Sequence, residues 1–310
     1  MRVLAAIAFG YLLVAGKLGG QGPTPQLGSG LMDPARVELD RTLSLAFTEP
    51  REFDFQLDTP RRRVAPGSRV ISLIEGCRAA QKPYDLLIHF HGAPTVLEAA
   101  FEKSGIDGVL VVYNWGIGSG AYEDYFGASA AFSQLLTSID RGVKELCPTA
   151  AAPKRIGLSG WSAGYGAIWR ILDRSADAAR IDSVLLSDGL HAGFVGSERE
   201  RQVNPAQMAA FALFADQAVL DQRLFAITHS TIATPYASTT ETASYLLDAE
   251  GVARIQVKLP GPRPDMELTS MGDRGSLHVR GFAGEDKAAH AAQLHAFGDL
   301  LLPYLRERWR

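Results

Sequence analysis

Ile156-Gly157-Leu158-Ser159-Gly160-Trp161-Ser162-Ala163-Gly164-Tyr165-Gly166-Ala167 is the stretch that decides how this chain is read. A short apolar run of the kind that forms a buried strand meets Gly-Trp-Ser-Ala-Gly, and a helical pattern over Ser162 to Arg174 follows at once. The pattern is G-x-S-x-G in a strand–turn–helix setting. A serine at the tip of so sharp a turn leaves little room for neighbouring Cβ atoms. Gly160 and Gly164 therefore let strand and helix approach, and the turn lifts the Ser162 hydroxyl above the sheet edge. The amides at the start of the following helix would lie beneath it, where they favour developing negative charge.

Outward from this turn, continuous apolar runs alternate with helical stretches. The runs are Leu86 to Ile88, Val109 to Tyr113, Ile156 to Leu158, Val184 to Leu186, Leu224 to Ile227 and Leu277 to Val279. The helical stretches are Thr95 to Lys103, Tyr122 to Leu146, Ser162 to Arg174, Pro205 to Asp216, Ser238 to Leu247 and Lys287 to Arg308. Strands without polar alternation, separated by helices, predict a mostly parallel sheet buried on both faces, with its ligands at the carboxyl ends of the strands. Ahead of it, Val37 to Leu45 and Glu52 to Leu57 alternate and predict an entry hairpin with one wet face, and Arg69 to Ile74 predicts a further strand.

The 310 residues suffice for one large α/β domain. A net charge of −3 gives no reason to expect nucleic acid or an anionic membrane as partner. At the N-terminus, Arg2, the apolar stretch Leu4 to Gly16 and the small residues Val14-Ala15-Gly16 resemble a secretory signal, too short to span a bilayer comfortably. Residues 1–18 are thus expected to be a signal segment, 19–33 a Gly/Pro-rich linker and 34–310 one catalytic domain, exported rather than cytoplasmic. Cys77 and Cys147 would be bridged in an exported protein or two buried thiols in a cytoplasmic one. Neither has zinc-ligand spacing.

The elbow, an earlier His-Gly strand end and the order serine, acid, histidine make the chain, from about Arg36 onward, resemble the α/β-hydrolase superfamily. The resemblance implies an α/β-hydrolase fold with a short lid or none. It also implies a serine hydrolase of the carboxylesterase kind that passes through an acyl-enzyme on a small acyl-ester substrate and needs no metal or organic cofactor. Ser162 is the expected nucleophile. The family places the base after the final strand, which selects His290; His278 lies inside that strand and His295 a turn too far along the helix. The acid departs from the commonest pattern. The segment His229 to Pro235 carries none, whereas Ser187-Asp188-Gly189 ends the preceding strand, so Asp188 is the expected acid with Glu241 in reserve. Ala163 and the Gly92/Ala93 segment are the expected oxyanion-hole amides; loss of one such donor typically costs roughly 100- to 1000-fold in rate.

Trp161, Trp115 and His229 are candidates for contacting substrate, and a hydroxyl-rich segment (Ser230, Thr231, Thr234, Ser238, Thr239, Thr240) follows His229. His89 and His91, expected to point the same way on a strand, raise a metal reading, but no acidic or cysteine partners sit at useful spacing. Amide or peptide cleavage at the same site and a non-catalytic binding protein on the same scaffold are the alternatives. The glycine-rich turn lacks both a dinucleotide fingerprint and the Gly-Lys-Ser/Thr of a P-loop.

Overall fold

The computed structural model describes residues 69–73, 77, 80–196 and 200–310. The expected signal segment, linker and entry hairpin lie outside the described residues.

The described chain runs β1 (Arg69–Leu73), β2 (Tyr84–Phe90), α1 (Pro94–Ser104), β3 (Gly108–Tyr113), α2 (Ser119–Gly127), α3 (Ala131–Leu146), β4 (Pro153–Trp161), a 3₁₀ turn over Ser162–Gly164, α4 (Tyr165–Leu172) and α5 (Ser175–Ala178). It continues through β5 (Ile181–Ser187), β6 (Phe194–Val195), β7 (Gln202–Val203), α6 (Pro205–Ala218), β8 (Leu224–His229), α7 (Thr239–Ala249), β9 (Ile255–Pro260), β10 (Glu267–Arg274) and β11 (Leu277–Phe282). It ends on α8 (Lys287–His295), α9 (Phe297–Leu300) and α10 (Leu302–Arg308). Nine strands form one sheet in the order β1-β3-β2-β4-β5-β8-β11-β10-β9. β3, β2, β4, β5, β8 and β11 are mutually parallel, β1 is antiparallel at one edge, and β10 and β9 add an antiparallel pair at the other. The parallel centre, the antiparallel edge before β3 and the elbow after β4 define the α/β-hydrolase fold.

The sheet is covered on both faces, which is why its strands carry no polar alternation. Leu86, Ile88 and Phe90 of β2 pack with Tyr122, Phe132, Ile168 and Phe211 on one face. Leu87 packs on the other with Phe101, Phe297, Leu301 and Trp309. Each such large apolar side chain taken out of water stabilises the fold by roughly 1.5–3 kcal/mol. Asp182 fastens the C-terminal helix to β5 by accepting from the Arg308 guanidinium at 2.9 Å and from Trp309 Nε1 at 2.9 Å. Cys77 and Cys147 are joined in a disulfide. Among the described residues no helix is long and apolar enough to cross a membrane.

Three expected helices are subdivided. The stretch Tyr122 to Leu146 is two helices, because the chain turns extended at Ala128 after Gly127. The Ser162 stretch opens as a 3₁₀ turn before α4. The C-terminal stretch breaks at Ala296 and again at Leu301, where Pro303 supplies no amide to carry a helix through. The pair β9–β10 was not anticipated. Ile255-Gln256-Val257-Lys258-Leu259 alternates as a strand does, although β9 is exposed at almost every position.

Candidate active site

The site lies where the parallel strands end. Ser162 follows β4 with φ 49°, Asp188 follows β5 with φ 42° and His91 follows β2 with φ 62°. Non-glycine residues adopt this left-handed region only at a cost in strain, which surrounding packing must hold in place. At Ser162 that packing is backbone on backbone. A Cβ on Gly164 would overlap the Phe90 carbonyl oxygen, and one on Gly189 would stand 2.6 Å from the Ser162 carbonyl oxygen. The two glycines thus bring the ends of β2, β4 and β5 together around the serine.

Asp188 is buried at 1 % exposure and its carboxylate is fully bonded. Oδ1 accepts from the Ser230 amide at 2.8 Å and from Thr239 Oγ1 at 2.8 Å, and Oδ2 accepts from His290 Nδ1 at 2.7 Å. Burial alone would raise its pKa; the hydrogen bonds from His290, Thr239 and the Ser230 amide outweigh it and hold the carboxyl below the usual range. With Nδ1 committed to Asp188, Nε2 of His290 is the nitrogen left for chemistry. The structure thereby brings Asp188 and His290 together across 102 residues of sequence. Among the described residues the Ser162 side chain has no hydrogen-bond partner.

Trp161 contributes in an unanticipated way. Its indole N–H donates to the His290 carbonyl at 3.0 Å, and its ring stacks on the His290 imidazole with centroids 4.6 Å apart. It also stacks on His91 at 5.5 Å. His91 Nδ1 bonds the Tyr122 hydroxyl at 3.1 Å, and that hydroxyl accepts from the Trp115 amide at 3.2 Å. Burial pushes the His91 pKa down to about 4, so the ring is neutral at pH ~7.

Several expectations change. Gly92's amide donates to Asn114 Oδ1 at 2.9 Å, while Asn114 Nδ2 donates back to the Gly92 carbonyl, so Gly92 is engaged and Ala93 is the residue of that loop left for an oxyanion. Ala163 occupies the first turn after the elbow, where helical amides lack intrahelical partners. Glu241 does not serve His290. It is held by Arg201 at 2.8 Å and closes the capping box of α7 with Ser238. His229 has 2 % exposure and offers a substrate no surface. Its Nδ1 meets Thr240 Oγ1 at 2.9 Å, and its ring lies against Gly281, where a Cβ would stand 2.6 Å from Nε2. Trp115 packs on Tyr125 with centroids 4.0 Å apart, in an aromatic cluster with Tyr113.

His89 and His91 do not point the same way, because the chain leaves β2 at His91. His89 bonds Ser159 and meets Phe297 on one face of the sheet; His91 meets Tyr122 on the other. Of the hydroxyl-rich segment, Thr239 donates its hydroxyl to Asp188 and Thr240 meets His229, while Ser230 reaches Asp188 through its backbone amide. His191, which the sequence did not single out, stands two rings deep beside the site, against Tyr165 and Tyr236.

No family model and no curated protein matches the sequence. Among solved structures, the chain is similar to the enterobactin esterase of Shigella flexneri at 11 % identity and a TM-score of 0.47, covering 82 % of this chain and 61 % of that one. It is similar to an esterase of Pyrococcus furiosus at 11 % identity and a TM-score of 0.41, covering 92 % and 99 %. A ferulic acid esterase aligns at 11 % identity and a TM-score of 0.42, covering 80 % and 98 %. The chain thus spans about three fifths of the length of the enterobactin esterase it matches.

Proposed function

We propose that this protein is an exported serine hydrolase that cleaves carboxylic esters, with Ser162 as nucleophile, His290 as base and Asp188 as the acid that orients it. The observation that carries the reading is the 2.7 Å bond between His290 Nδ1 and the buried Asp188 carboxylate, at strand ends that adjoin a serine held at φ 49°. A serine hydroxyl is a weak nucleophile until a base takes its proton. His290 Nε2 takes it as Ser162 Oγ attacks the acyl carbonyl. The oxyanion forms toward the amides of Ala163 and Ala93. His290 then gives the proton to the departing alkoxide, leaving an acyl-enzyme. A water loses a proton to His290, attacks the acyl carbon, and the acid departs as Ser162 recovers its proton. Asp188 stays ionised and stabilises the imidazolium. Hydrogen bonds of this kind commonly tighten only when substrate is bound, which accommodates an unbonded Ser162 hydroxyl in the free protein. The Cys77–Cys147 disulfide and the apolar leader support export to an oxidising compartment.

The test is labelling with a fluorophosphonate at neutral pH, with the modified residue mapped by mass spectrometry. Labelling at Ser162 that disappears in Ser162→Ala and His290→Ala, with hydrolysis of 4-nitrophenyl esters faster than of matched anilides, supports the reading. A folded protein that is neither labelled nor active overturns it.

A further inference from the structure

We propose that His191 reads the substrate, by accepting a hydrogen bond from a hydroxyl group of the ester. This rests on Ser162 being the nucleophile. His191 lies three residues after Asp188, on the loop that leaves β5. Its ring meets Tyr165, three residues after Ser162, at 5.7 Å, and Tyr236 at 5.1 Å, both edge to face. Gly189, two residues before His191, lies against the Ser162 backbone, where a Cβ would stand 2.6 Å from the Ser162 carbonyl oxygen. The loop is held at this place by a bridge between Ala192 and Ala237.

The chemistry of the two ring nitrogens follows from their surroundings. Nδ1 faces the Ala237 carbonyl oxygen at 3.2 Å, and a carbonyl can only accept, so Nδ1 carries the proton. Burial keeps the ring neutral, with a pKa pushed down to about 4. Nε2 is then a bare lone pair, and among the described residues nothing donates to it. His191 keeps some solvent exposure, as a ligand-facing ring must. A neutral acceptor between two aromatic rings disfavours an anionic group and rewards a hydroxyl. The site is therefore expected to prefer an ester that carries a hydroxyl on its acyl part over the same ester without it.

The experiment compares kcat/KM for 4-nitrophenyl esters in matched pairs: benzoate with 3- and 4-hydroxybenzoate, and butyrate with 3- and 4-hydroxybutyrate. One neutral hydrogen bond predicts a preference of about five-fold for at least one hydroxylated member. His191→Phe abolishes that preference while labelling of Ser162 by a small fluorophosphonate proceeds normally. His191→Gln, whose amide oxygen accepts, keeps part of it. The inference is overturned if no hydroxylated ester is favoured, or if the preference survives in His191→Phe. A protein that hydrolyses all members equally and labels at Ser162 sinks this inference alone. One that neither labels nor hydrolyses sinks the hydrolase reading with it.

Discussion

Trp161, the residue before the expected nucleophile, holds the expected base at two points: its indole N–H bonds the His290 carbonyl at 3.0 Å and its face covers the imidazole at 4.6 Å. The strand that presents the serine thus also fixes the histidine. Ring stacking and one hydrogen bond each contribute about 1 kcal/mol. Trp161→Ala is expected to lower kcat about 10- to 30-fold with KM little changed, and Trp161→Phe, which keeps the stack, about 3-fold. Steady-state kinetics decide it. A raised KM at constant kcat would instead make Trp161 a substrate contact.

Asp188→Asn should leave the fold intact and lower kcat roughly 1,000- to 10,000-fold, because an amide cannot hold His290 in the required tautomer. The same group sets an acid limit. Its carboxyl is depressed in the folded state, so its contribution to stability is present above the unfolded carboxylate range and is lost as pH falls through the folded value. Thermal unfolding of the Asn variant should therefore fall less steeply below pH ~4 than that of the parent protein.

Four histidines act in a higher window. His89 is pushed down to about 3 and His91, His191 and His229 to about 4, in every case first by burial. The unfolded chain takes up a proton near pH ~6.5 that the folded one refuses, so stability falls as pH drops from there toward the folded values, by about 1.4 kcal/mol per residue and pH unit. A melting temperature that stays level between pH 6.5 and 4.5 would contradict this.

Gly164→Ala should prevent folding or cost roughly 3 kcal/mol or more, since the added methyl would overlap the Phe90 carbonyl oxygen and backbone cannot move aside cheaply. Gly120→Ala, where a Cβ meets nothing within 4 Å, is the control and should fold normally. Chemical denaturation of both variants checks the contrast.

The Cys77–Cys147 bridge closes a loop of 70 residues. Chain entropy alone predicts a loss of about 4.4 kcal/mol when both cysteines are replaced by alanine. Because Cys77 is exposed, dithiothreitol should lower the melting temperature of the parent protein and leave the double variant unchanged.

Much of this protein was legible in its amino-acid order because the relevant physics is local. Continuous apolar runs such as Val109 to Tyr113 suit strands covered on both faces, and Gly160-Trp161-Ser162-Ala163-Gly164 between a strand and a helix suits a crowded turn. The hydroxyls after His229 gave no sign of which group they hold, whereas Ser238-Thr239-Thr240-Glu241 has the spacing of a capping box, a local reason for Glu241 to be occupied. What the tertiary structure decided is which distant groups meet. Asp188 and His290 are 102 residues apart, Gly92 and Asn114 are 22 apart, and His191 gains Ala237 from 46 residues away. No period or propensity encodes such meetings. They arise because a twisted parallel sheet gathers its strand ends on one side, and burial there requires each polar group to find its partners within the protein.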